Sequence, residues 1–102
     1  MTFLRVDVVA FVDESFPGFV RCAFADADGN RFTLVEKVPV VTTQELWTDS
    51  IYPQPGTVPC VGVEKLQDDT GRALARVSIC PIEMGSPDYP EQFVVHESQL
   101  SQ

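Results

Sequence analysis

The feature that most constrains this chain is a two-residue alternation of apolar and polar side chains, cut off repeatedly by turns bearing Gly or Pro. Leu4, Val6, Val8, Ala10 and Val12 alternate with Arg5 and Asp7. Successive side chains of a strand point to opposite faces, so this run is expected to form a β-strand with one apolar face. Val9 and Phe11 make the outer face apolar as well, which predicts that the second half of the strand is covered on both sides or bent across the core. Asp13-Glu14-Ser15-Phe16-Pro17-Gly18 reads as a turn. A second strand follows over residues 19 to 25, with Val20, Cys22 and Phe24 on one face.

The alternation continues in the same manner. Asp26-Ala27-Asp28-Gly29-Asn30 supplies a hairpin tip, because Gly tolerates positive φ, and Phe32, Leu34 and Val35 carry a third strand. Residues 58 to 66 form a fourth, with Pro59 predicting an edge at its start and Gly62 a bulge. Gln67-Asp68-Asp69-Thr70-Gly71 is a second tip. A fifth strand over 72 to 80 presents Ala73, Ala75, Val77 and Ile79 on one face. Residues 81 to 90, rich in Pro, read as a loop, Phe93-Val94-Val95 as a short sixth strand, and 97 to 102 as a frayed polar tail.

The one long connection, residues 36 to 56, lies between the two blocks of strands and holds the single Trp and one of the two Tyr. Thr42-Thr43-Gln44-Glu45 matches a capping box, in which a Thr hydroxyl accepts an N-terminal amide and a Glu reaches back. One short helical turn is therefore expected near 43 to 49. Pro53 and Pro55 are expected to end it, with Gly56 turning the chain into the fourth strand.

Six short strands, one helical turn and no internal repeat specify an all-β fold: a single six-stranded antiparallel barrel or rolled sheet. At 102 residues and 44% apolar, the chain is expected to form one domain around one core. Closure of the sheet matters, because a flat apolar sheet would leave a long edge open to aggregation.

Charge narrows the partners. A net charge of -8, from 15 acids against 7 scattered bases, repels a phosphate backbone, so nucleic acid is not expected. The N-terminal run is broken by Arg5 and Asp7 and has no basic leader, so neither export nor membrane insertion is expected. Cys22, Cys60 and Cys80 are an odd set inside strand-like runs and read as reduced core residues of a cytoplasmic protein.

Few patterns in the chain suit chemistry. Cys22, Cys60, Cys80 and His96 have the composition of a zinc site but no Cys-x-x-Cys knuckle, so no metal is expected. The 26–30 run opens like a calcium loop, yet Arg31 stands where that loop needs Gly and Lys37 where it needs a bidentate Glu. The single His lies next to a polar terminus, with no nucleophile elbow and no Gly-rich oxyanion turn. Neither a cofactor nor catalysis is expected.

Connections of an antiparallel sheet alternate between its two ends. If the long connection also reverses the chain, the 13–18 turn, residues 38 to 57 and the 81–90 loop share one end, opposite the two tips and His96. That end gathers Phe16, Trp47, Tyr52 and Tyr89 with Asp13, Glu14, Glu45, Asp49, Glu83 and Asp88, and these connections hold no Lys or Arg. Phe16, Glu45, Trp47, Asp49, Tyr52 and Tyr89 are the candidate partner-binding residues. Aromatics supply anchors and acids steer a positively charged partner. The competing expectation for each aromatic is a plug that closes the barrel.

The runs Phe16-Pro17-Gly18-Phe19-Val20-Arg21-Cys22, Glu36-Lys37-Val38-Pro39-Val40-Val41 and Tyr52-Pro53-Gln54-Pro55-Gly56 resemble those of a group of small bacterial proteins. The strand order is similar to that of the β-barrel domains of translation elongation factors, over residues 16 to 66. The resemblance implies a docking module without catalytic residues, although the contact motifs of those barrels are not found in this chain. The expected function is thus a non-enzymatic acidic interaction module, an inhibitor or immunity-type protein for a basic protein or peptide. The alternative is a small-ligand-binding barrel with its pocket at the 38–57 end.

Overall fold

A computed structural model describes residues 1–81, 83–84 and 92–102. The strands are β1 (Phe3–Asp13), β2 (Phe19–Ala25), β3 (Arg31–Lys37), β4 (Gln54–Gln67), β5 (Ala73–Ile79), β6 (Glu83–Met84), β7 (Phe93–His96) and β8 (Leu100–Ser101). A helical turn, α1 (Val38–Val41), follows β3, and a 3-10 turn (Glu97–Gln99) precedes β8. The sheet runs β6-β3-β2-β1-β4-β5-β7, with β8 on β1, and every pairing is antiparallel. The chain is therefore all-β, a curled antiparallel half-barrel with one short helical turn in the central connection. It has eight strands among the described residues where six were expected, because β6 and β8 are two residues each, too short to show an alternation.

The curl buries one face. Leu4, Val8, Val20, Cys22, Leu34, Ala75, Val77 and Val95 are fully enclosed there. Phe24 of β2, Phe32 of β3 and Phe93 of β7 meet ring to ring, with centroids 4.8 to 5.6 Å apart. The Ala27 amide donates to the Val94 carbonyl at 2.8 Å, so the β2–β3 tip is bonded to β7 across the opening of the roll. An Arg72 guanidinium nitrogen lies 3.5 Å from the Ala27 carbonyl, so the two hairpin tips share one end, as alternation of connections requires. At each tip an Asp carboxylate organises the turn: Asp26 accepts from the Asp28 and Asn30 amides, and Asp68 from Thr70 and Arg72.

β1 is bent by two register shifts against β2. Val9 is the extra residue between Val8↔Cys22 and Ala10↔Arg21, and Val12 between Phe11↔Val20 and Asp13↔Phe19. Beyond Val9 the faces exchange, and Phe11, opposite the buried Val20, turns inward. Val12, expected on the core face, is 39% exposed. The unbroken run Val8-Val9-Ala10-Phe11-Val12 was the outward sign of this change.

β4 corrects three expectations. It starts at Gln54 rather than 58, so Pro55 and Gly56 lie inside a strand. Its first half is paired with β1 over residues 54 to 59 and its second with β5 from Cys60 onward, so Pro59 marks a handover between partners in mid-strand and not the start of the strand. The Cys60 amide donates to Thr2, which directs even-numbered residues of this stretch towards β1. Pro55 and Pro59 therefore lack their N–H on the opposite side, where no ladder bond is forfeited. Gly62 follows a register shift, as expected of a bulge.

The helical turn forms at Val38–Val41, not at 43 to 49. Pro39 sits in its first turn, where its missing amide costs nothing, and Val38 and Val41 bury themselves in the core. Thr42 ends it in extended backbone, and its hydroxyl accepts from the Gln44 amide at 3.1 Å, a local turn that competes with capping.

The tail is also ordered. Arg5 donates to the Ser98 carbonyl, the Gln99 side chain reaches the Ala25 carbonyl at 2.8 Å, and β8 pairs with β1. Of the three cysteines only Cys22 is buried. Cys60 is half-buried and Cys80 is exposed, because Cys80 falls beyond the end of β5. Glu36 is buried as well, and its carboxylate accepts the Lys37 amide at 2.9 Å. Burial first, then the Glu36 charge, pushes the Cys22 thiol up to about 12.

Gly56 leaves no room for a side chain: a Cβ there would lie 2.9 Å from Val8 Cγ2 and 3.1 Å from the Val41 carbonyl oxygen. Gly56→Ala is expected to lower stability by about 1 to 3 kcal/mol, read as a shift of the urea midpoint. Cys22 gives a second prediction. Its folded pKa is raised above the ordinary 9.0, so its contribution is complete below pH 9 and is lost as pH rises towards about 12. The urea midpoint is expected to fall across that window, and to fall less steeply in Cys22→Ala.

Candidate functional site

The end of the roll opposite the hairpin tips is built by two segments that contribute no sheet ladder, the 13–18 turn and the connection after α1. Asp13 opens the first. Its carboxylate accepts the Ser15 amide at 2.8 Å, and hydrogen bonds from Ser15, the backbone amide foremost, hold its carboxyl below the usual range. The Gly18 amide donates to the Ser15 carbonyl at 2.7 Å, closing the turn at φ 90°, a conformation suited to Gly.

Gly18 then joins the two segments. Its carbonyl accepts the Val38 amide at 3.0 Å, and a Cβ on it would lie 3.1 Å from the Phe11 ring and 3.3 Å from Val38. The inward turn of Phe11 at the β1 bulge thus places a ring under the turn. Past α1, Leu46 is the one residue between 42 and 53 that is fully committed to the core, and it pins the connection from the middle.

Between the segments lies an open groove of about 880 Å³. Phe11, Gly18, Val38, Pro39 and Leu46 line it, along with Phe16, Pro17 and Trp47. The polar lining is Glu14, Glu45, Gln44 and the hydroxyls of Thr42, Thr43 and Thr48, and no Lys, Arg or His is included. The Phe16 side chain is 97% exposed and Trp47 60%.

Trp47 is therefore a surface residue and not a plug of the barrel. Its backbone is nonetheless fixed on three sides. The Trp47 amide donates to Ser50 Oγ at 2.9 Å, while its carbonyl accepts the Ser50 amide at 3.1 Å and the Tyr52 hydroxyl at 2.6 Å. Gln54 donates to the Ile51 carbonyl at 2.7 Å and ties the same loop to the start of β4. An exposed indole on a held backbone loses little conformational entropy when it is covered.

Of the six residues singled out in the sequence, Phe16, Glu45 and Trp47 line the groove. Asp49 is exposed but outside it, and Tyr52 is a half-buried support packed against the core, whose hydroxyl holds Trp47. Tyr89 and Asp88 lie outside the described residues, and Glu83 is exposed in β6 against Val35. Sequence reading missed Phe11, Leu46 and the threonines. Phe11 was hidden by the bulge, and the threonines carry no signal of their own.

Elsewhere the chemistry is sparse. Among the described residues no three of His, Cys, Asp or Glu are grouped to hold a metal ion. His96 sits at the start of the ordered 3-10 turn, with its amide donating to the Gln99 side chain at 2.8 Å. No described helix is long and apolar enough to cross a membrane. No protein-family model, curated protein or solved structure matches the chain, so no relative assigns a role to any of these residues.

Trp47→Ala is expected to leave the melting temperature nearly unchanged, since an indole this exposed leaves no core cavity. Tyr52→Phe removes a hydrogen bond worth about 1 kcal/mol. Because Trp47 is the only Trp, its fluorescence anisotropy in Tyr52→Phe is expected to fall below the parent value.

Proposed function

We propose that the chain is a non-enzymatic, cytoplasmic interaction module that binds a basic protein or peptide in the groove beside Trp47, in the manner of an inhibitor or immunity protein. One observation carries the reading: two exposed aromatic rings, Phe16 and Trp47, share a groove with Glu14 and Glu45 and with no basic side chain. Aromatic rings supply the large buried anchors of interfaces, and a rim of one charge steers the opposite charge towards them. The chain's net charge of -8 extends the same field over the whole molecule.

A second observation supports the small-ligand reading, because a groove of about 880 Å³ falls within the usual range of ligand pockets. The basic-protein reading is preferred, since the rings project from the groove when a small-molecule site would enclose them.

Capture from the native host on immobilised protein, followed by titration of what is captured, separates the two. One stoichiometric basic partner is expected, bound less tightly as salt rises. Trp47→Ala is expected to cost about 2 kcal/mol or more in binding without lowering the melting temperature. Reversal of Glu14 and Glu45 to Lys is expected to slow association and flatten its salt dependence. Absence of any protein partner, together with a small molecule that alters Trp47 fluorescence at one equivalent, would establish the ligand site instead.

A further inference from the structure

Exposed large apolar side chains fall into two groups among the described residues. Phe16 and Trp47 line the groove, Val12, Val40 and Ile51 stand near its lining residues in the chain, and Met1, Val61 and Val63 lie elsewhere. Val61 and Val63 lie along β4, beyond the point where β1 stops covering it. The β1–β4 register ends at Phe3↔Pro59, and the final bond is from the Cys60 amide to the Thr2 carbonyl. From Gly62 to Gln67 the strand is paired with β5 alone, Val61 is the extra residue of the register shift before it, and six of the seven residues 61 to 67 are exposed. Among the described residues no strand pairs with the other side, so alternate amides and carbonyls of this stretch have no strand partner among those residues.

We propose that this edge is occupied by a second copy of the chain, joined antiparallel across a two-fold axis at Val63. Antiparallel pairing sets residues of equal parity opposite each other. With the axis at Val63, Val63 meets its own copy and Gly62 meets Glu64. No like charges face each other there, and the two Val63 side chains make an apolar pair at the axis.

Electrostatics favour this occupant over a charged foreign one. Glu64 is paired with Arg76 at 3.0 Å and Lys65 with Glu97 at 3.3 Å, so the edge is locally neutral although the molecule is strongly acidic. Nothing on it steers a basic partner, in contrast to the groove. The joined stretch is short, which makes the dimer a weak one, below the area of a standard stable interface. The whole-molecule charge opposes it, so screening by salt strengthens it, opposite in sign to the groove's binding of a basic partner.

Sedimentation equilibrium under reducing conditions tests the proposal, with protein from 10 µM to 1 mM (roughly the range for a small interface) in low and in high salt. A monomer–dimer equilibrium is expected, with association stronger in high salt and unaffected by Trp47→Ala. Val63→Lys sets two charges face to face at the axis and is expected to weaken association about tenfold or more, with Val61→Lys, at a more exposed position, as the second variant should Val63→Lys unfold. A monomer at every concentration in both salts overturns the proposal. So does a dimer that survives both Lys variants, or one that is lost in Trp47→Ala, which would move the contact to the groove.

Discussion

The contact on which the rest depends is the meeting of Phe24, Phe32 and Phe93 at the mouth of the roll. Two of these rings come from the β2–β3 hairpin and the third from β7, strands far apart in the sheet order. An antiparallel sheet with one apolar face must find something to cover that face, and the described residues offer only a four-residue helical turn and a 3-10 turn. It covers the face with the sheet itself. The rings supply apolar area, and the single bond from Ala27 to Val94 supplies direction. Once β7 is held there, the two hairpin tips lie together, and the opposite end is left for the irregular segments.

Much of this was legible in the sequence, because the period-two pattern and the Asp- and Gly-bearing tips are local and backbone-driven. The strands around Leu4–Val8, Val20–Phe24 and Ala75–Val77 stand where alternation puts them. What the pattern could not carry was the effect of an extra residue. At Val9 a bulge exchanges the faces of β1, and an alternation counted through it assigns Val12 to the core and leaves Phe11 out. The connection was misread for a related reason. A Thr-Thr-Gln-Glu run looks the same whether Thr42 begins a helix or ends one, and the choice falls to Val38 and Val41, whose burial depends on strands distant in sequence. The candidate site was legible at the level of which segments meet, since that follows from reversal of direction. Which side chains share the groove was not, since one tight turn sets Tyr52 beneath the Trp47 carbonyl as a support and leaves Asp49 outside the lining.

The molecule presents two surfaces of different character. The groove is irregular, aromatic and acidic. The outer half of β4 is locally neutral, carries two exposed valines, and has one side without a strand partner among the described residues. The two surfaces share no residue.

Between residues 42 and 53 only Leu46 is buried, and none of that stretch enters a strand. The segment behaves as a cassette held at its middle by Leu46 and at its end by the half-buried Tyr52. Its exposed side chains fill no core volume and pair with no strand, so substitution there would change what is recognised while the scaffold beneath stays the same.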